Sequence, residues 1–257
     1  MQKLSDNYRT PPSLFEALNE VTPFFWDACC TKDNCLVEHQ KYQMNHSIYG
    51  SNPHDYLTLD LQRIQEDYDE IFFNCYSDYR ANRWNTIFIN PPYSNVKPFI
   101  EKAWEDAKHF RVVMLLKADM STDWFNDLIK KESLSPIMKL QREATLKNAY
   151  TNLLKEMNAY ICGCCKNRIC RNGILKRHIG ILHLRKRVKF LADEEMMEAD
   201  LYMHPHYHDS GGGSTPWKYV RKGNESKNFK RGADGLIYPK SGPTFPSMII
   251  VLDRRAE

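Results

Sequence analysis

With 257 residues, 42% of them hydrophobic and 12% aromatic, the chain can bury enough apolar surface to offset its ordering entropy, which excludes wholesale disorder and fits one large domain or a domain with a substantial insertion. A balance of 36 Lys+Arg against 32 Asp+Glu, net +4, is too mild to mark a general polyanion binder, so any phosphate contact must come from local basic runs. No run approaches the ~20 apolar residues of a membrane span, and Met1–Asp6 lacks the apolar core of a signal peptide, so a cytoplasmic location is expected, with the eight cysteines as thiols or metal ligands.

In chain order, Thr10-Pro11-Pro12 opens a predicted helix over Ser13–Glu20, because prolines are tolerated in a first turn. Pro23-Phe24-Phe25-Trp26 reads as a short strand ending at Asp27. Residues 31–85 are polar and tyrosine-rich, with weak strand candidates at Leu57–Asp60 and Glu70–Phe73. Thr86–Ile89 is a predicted strand. A helix follows from about Val96 to Lys108, its apolar residues at helical spacing. Arg111–Leu116 has the near-continuous apolar character of a strand buried on both faces. Thr122–Lys131 is predicted helical, and this alternation of strands and helices argues for an open α/β sheet whose ligands bind at the carboxyl ends of its strands. From Ser133 the pattern breaks. Residues 138–157 suit a helix, Val188–Leu191 a strand, 203–246 a loop rich in glycine, serine, proline and basic residues, and Ser247–Leu252 a final strand.

The tetrapeptide Asn90-Pro91-Pro92-Tyr93 directly after the Thr86–Ile89 strand is the strongest chemical signal. Two prolines fix φ and remove two donors, which leaves the Pro91 carbonyl free beside the Asn90 amide. A carboxamide oxygen and a main-chain oxygen held together can accept both hydrogens of one amino group, and Tyr93 offers a ring to stack on. The arrangement suits a planar amine such as that of a nucleobase.

A second constellation lies downstream. Cys162 and Cys165 stand two residues apart, twelve residues separate Cys165 from His178, and four lie between His178 and His183, which is zinc-ligand spacing. Leu175-Lys176-Arg177-His178-Ile179 resembles the helix of the two-cysteine, two-histidine zinc fingers. That resemblance implies a structural Zn²⁺ on Cys162, Cys165, His178 and His183, and base contacts from Arg171, Ile174 and Arg177. Cys164 and Cys170 are spare thiols, and Cys162, Cys165, Cys170 and His178 form an alternative four-ligand set. The segment is also basic: Lys166–Lys189 holds nine Lys or Arg and no acidic residue, and a second basic stretch runs over Lys218–Lys230.

Taken together, Tyr8-Arg9-Thr10-Pro11, Asp27-Ala28, Asn90–Tyr93, the Trp124-Phe125 pair after Met114–Leu116, Arg187–Phe190 and Pro246-Ser247-Met248 resemble the phage-type DNA N-6-adenine methyltransferases, over roughly residues 5–131 and 185–252. The resemblance implies a Rossmann-like α/β sheet that uses S-adenosylmethionine, with Thr10 and Pro11 packing on the cofactor and Asp27 near its methionine or ribose end. Asn90, Pro91, Pro92 and Tyr93 would hold an adenine flipped from double-stranded DNA. It divides the chain into a methyltransferase part at 1–132, an insertion at 133–184 carrying the zinc-finger-like module at 160–184, and a closing methyltransferase part at 185–257. Competing expectations are an RNA adenine or protein glutamine methyltransferase using the same turn, or a non-catalytic DNA-binding protein.

Overall fold

The computed structural model describes residues 9–30, 34–37, 40, 56–66, 85–131, 136–158, 161–162, 174–175, 177–192, 229–240 and 245–255. Along the chain these form α1 (Pro12–Asn19), β1 (Trp26–Asp27), β2 (Thr86–Ile89), α2 (Lys97–Asp106), β3 (Arg111–Lys117), α3 (Asp123–Lys130), β4 (Ile137–Leu140), α4 (Leu146–Met157), β5 (Ile161–Cys162), β6 (Ile174–Leu175), β7 (Ile179–His183), β8 (Phe229–Arg231), β9 (Ile237–Pro239) and β10 (Ser247–Leu252).

Six strands make one sheet in the order β1-β2-β3-β10-β7-β4. The pairs β1·β2, β2·β3 and β4·β7 are parallel, and β10 runs antiparallel to both of its neighbours. Apolar alternation along these strands feeds two cores, since successive side chains of a strand point to opposite faces. Val112, Met114 and Leu116 of β3 join Ile100, Ala103 and Trp104 of α2 and Phe125 and Leu128 of α3. On the other face Val113 and Leu115 join Phe15 and Leu18 of α1 and Tyr150, Leu153 and Met157 of α4. The result is a mixed α/β architecture of three layers around a mostly parallel sheet, as the strand and helix alternation implied. Each large apolar side chain buried this way contributes about 1.5–3 kcal/mol.

Several elements differ from their sequence reading. Leu57–Asp60, a weak strand candidate, is turn and coil leading into a helical stretch at 61–66, and 70–73 lies outside the described residues. The helix expected over 138–157 divides into β4 and α4, with Thr145 between them as the helix cap, its hydroxyl accepting from the Asn148 amide at 3.2 Å. Val188–Leu191 makes only an isolated bridge, from Leu191 to Arg9. Part of the expected 203–246 loop forms the β8–β9 hairpin. The boundary at 133–184 also changes. β4, α4 and β7 all belong to the central sheet and its covering layer, so the excursion from it narrows to the chain between α4 and β7. Gly180 shows why β7 accepts α4 so closely, since a methyl group there would overlap Met157 Sδ.

The parallel strands end together, bringing Asp27, Asn90, Lys117, Leu140 and His183 to one rim of the sheet. At the opposite rim Arg111 donates from Nε and a terminal nitrogen to one Asp253 oxygen at 3.0 and 2.9 Å, tying the start of β3 to the end of β10. Asp253 is 1% exposed, so removing its charge strands a largely enclosed guanidinium. Asp253→Ala is expected to cost about 3 kcal/mol of unfolding free energy, read from the urea midpoint; an unchanged midpoint would deny the ion pair any structural weight.

Candidate active site

β2 is buried along its whole length and delivers Asn90 at its carboxyl end, where Pro91 stops the ladder. The Asn90 amide is held on both sides. Its Nδ2 donates to Thr10 Oγ1 at 3.1 Å, and Tyr93 OH donates to its Oδ1 at 3.0 Å. Thr10 is itself buried just ahead of α1, so the segment before the first helix fixes the orientation of the carboxamide. With Nδ2 donating to Thr10, the carboxamide is turned so that Oδ1 accepts from Tyr93. No donor among the described residues reaches the Pro91 carbonyl. Asn90 and Pro91 are adjacent residues directly after the last residue of β2.

Tyr93 is half-buried, its ring set near-perpendicular to Phe190 at 5.9 Å and to Phe245 at 5.2 Å between centroids. Such edge-to-face contacts hold a ring in one plane. Burial pushes the phenol well above its ordinary value of 10, so it serves as a neutral donor. Phe190 and Phe245 had no assigned role in the sequence reading; each lies within or beside a recognised segment, which was the available signal.

Asp27 ends β1, one strand away from Asn90. Its main chain is clamped by the buried Gln40 amide, with Asp27 N donating to Oε1 at 2.7 Å and Gln40 Nε2 donating to Asp27 O at 3.0 Å. Gln40 lies in a polar stretch with no periodicity, and nothing in the sequence marked it. Asp27 is 5% exposed, and desolvation pushes its carboxyl up to about 7 against the smaller opposing pull of the Leu36 and Cys29 amides. No cationic side chain pairs with it among the described residues. A buried carboxyl without a counter-charge fits a cofactor bearing positive charge and hydroxyl groups.

Asp27, Cys30 and Cys35 also gather donor atoms within 4.8 Å of one another, a set that could hold a metal ion. Both thiols already have main-chain acceptors, Cys30 donating to Asp27 O at 3.1 Å and Cys35 to Val37 O at 3.6 Å. Burial pushes the Cys30 thiol strongly up, so a metal would have to displace its proton.

The zinc-finger-like segment lies only in part within the described residues. No helix spans Leu175–Ile179, because Ile174–Leu175 is strand β6 and Ile179 begins β7. His178 precedes β7 and His183 ends it. At ~3.3 Å per residue their spacing of five puts them roughly 16 Å apart on opposite faces, too far to share one tetrahedral ion. Burial also pushes the His183 imidazole below its ordinary 6.5. Cys162 lies on β5, paired with Ile174, while Cys164, Cys165, Cys170 and Arg171 lie outside the described residues. Arg177 is half-buried at the start of β7, at the rim opposite Asn90.

Residues 1–137 match the family described as DNA N-6-adenine-methyltransferase (Dam). No curated protein and no solved structure matches the chain. No helix among the described residues is long and apolar enough to cross a membrane.

The Asp27 environment has a stability consequence. Its folded-state value of about 7 lies above the ordinary 3.8, so the native state holds the proton more tightly. The cost of burying the charge is absent below about pH 4, grows between 4 and 7 and is complete above 7. Asp27→Asn should therefore gain thermal stability relative to the parent as pH rises through that window; parallel melting curves at pH 4 and pH 8 would refute the assignment.

Proposed function

The chain belongs to the Dam family of DNA N-6-adenine methyltransferases, and on that premise we propose that it transfers a methyl group from S-adenosylmethionine to the exocyclic amine of an adenine extruded from duplex DNA. The observation that carries this reading is the pair of acceptors at the end of β2, Asn90 Oδ1 and the Pro91 carbonyl, with Thr10 and Tyr93 fixing the amide. An adenine amine is a poor nucleophile because its lone pair is delocalised into the ring. Two acceptors on its two hydrogens favour a pyramidal nitrogen whose lone pair points away from them. This is alignment plus electrostatic stabilisation, and it requires no general base. Transfer would form the N–C bond as the donor's S–CH3 bond breaks to leave a neutral thioether, and the surplus amine proton would pass to water. Extruding the base costs a few kcal/mol, which stacking on Tyr93 partly offsets.

The cofactor supplies an electrophilic methyl group on a sulfonium. Asp27, Thr10 and Pro11 are the residues proposed to hold it, with the buried Asp27 carboxyl answering its positive charge. Thr10 has a second task, since its hydroxyl keeps the Asn90 amide turned with Oδ1 toward the substrate.

Asn90→Ala is expected to lower methyl incorporation into duplex DNA by at least ~10²-fold while cofactor affinity, read by calorimetry, stays near the parent value. Incorporation at the parent rate would end the acceptor role. Tyr93→Phe should be mild, because the lost hydroxyl leaves Oδ1 still able to accept, and Tyr93→Ala severe. Running labelled cofactor against duplex DNA, RNA and a protein extract separates this substrate from the other planar amines and amides that the same turn could hold.

A structural zinc belongs to this reading only through thiols, either Cys162 and Cys165 with Cys170 and His178, or Asp27 with Cys30 and Cys35. Metal analysis of the purified chain should give one equivalent if either set is filled, and Cys30→Ser or Cys162→Ser should abolish it according to which is used; well under one equivalent would remove zinc altogether.

A further inference from the structure

The basic run at Lys166–Lys189 stands out by its charge, and the structure describes its last part. Its last part, 184–190, leaves β7 at the rim that carries Asn90. Here Val188 and Phe190 are buried while Arg185, Lys186, Arg187 and Lys189 are exposed. The segment is anchored at both ends. Leu184 N donates to Ser247 O at 3.0 Å and Arg185 N to Gln141 Oε1 at 3.3 Å. At the far end Phe190 packs on Tyr93, and Leu191 exchanges two main-chain hydrogen bonds with Arg9, the residue before Thr10. None of Arg185, Lys186 and Arg187 forms an ion pair among the described residues, whereas Lys189 lies in the field of Asp234. Three adjacent cations without an ion-pair partner among the described residues repel one another on a fixed loop. A polyanion would relieve that repulsion.

We propose that Arg185, Lys186 and Arg187 form a phosphate-binding clamp that grips the DNA backbone beside the extruded nucleotide. The inference rests on the DNA methyltransferase reading and adds to it the surface that holds the duplex. Phe190 is three positions after Arg187, roughly 10 Å in extended chain. Phe190 in turn touches the Tyr93 ring, so the guanidinium lies within reach of the phosphates nearest the target base. Main-chain anchoring keeps the ordering cost low on binding. Phosphate contacts of this kind set register and carry no sequence information, so the clamp serves every site the enzyme methylates.

The test uses the full chain with a fluorescent duplex at several salt concentrations. Each phosphate contact contributes about 0.9 to the slope of log K against log salt, so the R185A/K186A/R187A variant should lose about 2 to 3 from that slope, with KM for DNA raised tenfold or more. R185K/R187K, which retains the charges, should keep most of the slope. Lys155→Ala, an exposed cation on α4, should keep all of it. Cofactor affinity and melting temperature report whether the triple variant is folded. If the parent methylates duplex adenine but the folded triple variant keeps the parent slope and KM, the clamp is wrong and the methyltransferase reading stands. A parent that neither binds nor methylates duplex DNA overturns both.

Discussion

One carboxamide, that of Asn90, is the point on which the rest of the site turns. A free asparagine side chain rotates, and its oxygen and nitrogen exchange places at little cost. Here the Thr10 hydroxyl takes Nδ2 and the Tyr93 hydroxyl takes Oδ1, so the amide is set in one orientation by partners 80 residues and 3 residues away in sequence. The two bonds have different anchors. Thr10 is buried where the chain enters α1, while Tyr93 is braced by Phe190 and Phe245 from the two closing segments. The orientation of one acceptor is therefore a report on the packing of three distant parts of the chain.

The sheet supplies the rigidity that such a site needs. β2 and β3 are buried on both faces, and their side chains are divided between two cores that helices cover from either side. A strand enclosed this way cannot slip by one residue without turning every apolar group to the wrong face, so Asn90 is fixed in depth as well as direction. The same enclosure acts on Asp27. β1 ends inside the protein, and the carboxyl sits where its charge is costly until something positive comes to meet it. Local enclosure thus fixes the Asn90 carboxamide and raises the cost of charge on Asp27.

The antiparallel β10 has a structural consequence for the rim. By running between β3 and β7 it brings its own beginning, with Phe245 and Pro246, to the end of the sheet where the parallel strands finish. Pro246 O accepts from Ala118 and Ser247 O from Leu184, which ties the loops after β3 and β7 to the same edge. The basic loop following β7 is held at that edge for the same reason. Aromatic support and cationic surface reach the rim together because one closing strand joins both.

The sequence by itself determined the strongest local chemistry. Two prolines after an apolar strand place a carbonyl beside an amide, and the apolar run at 112–116 reads as a strand enclosed on both sides. The family's N-terminal half was legible for the same reason, since its motifs are short and local. Spacing misled where a short apolar run carried two possible periods: Ile179-Gly180-Ile181-Leu182-His183 follows a cysteine pair at finger-like distance, yet it is a strand. Only tertiary structure decided that, because β10 and β4 offer hydrogen-bonding edges on both sides and Gly180 lets α4 close over it. The Gln40 clamp on Asp27, the Thr10 bond to Asn90 and the meeting of Tyr93 with Phe190 and Phe245 were likewise settled by contacts between residues far apart in the chain, which no local pattern records.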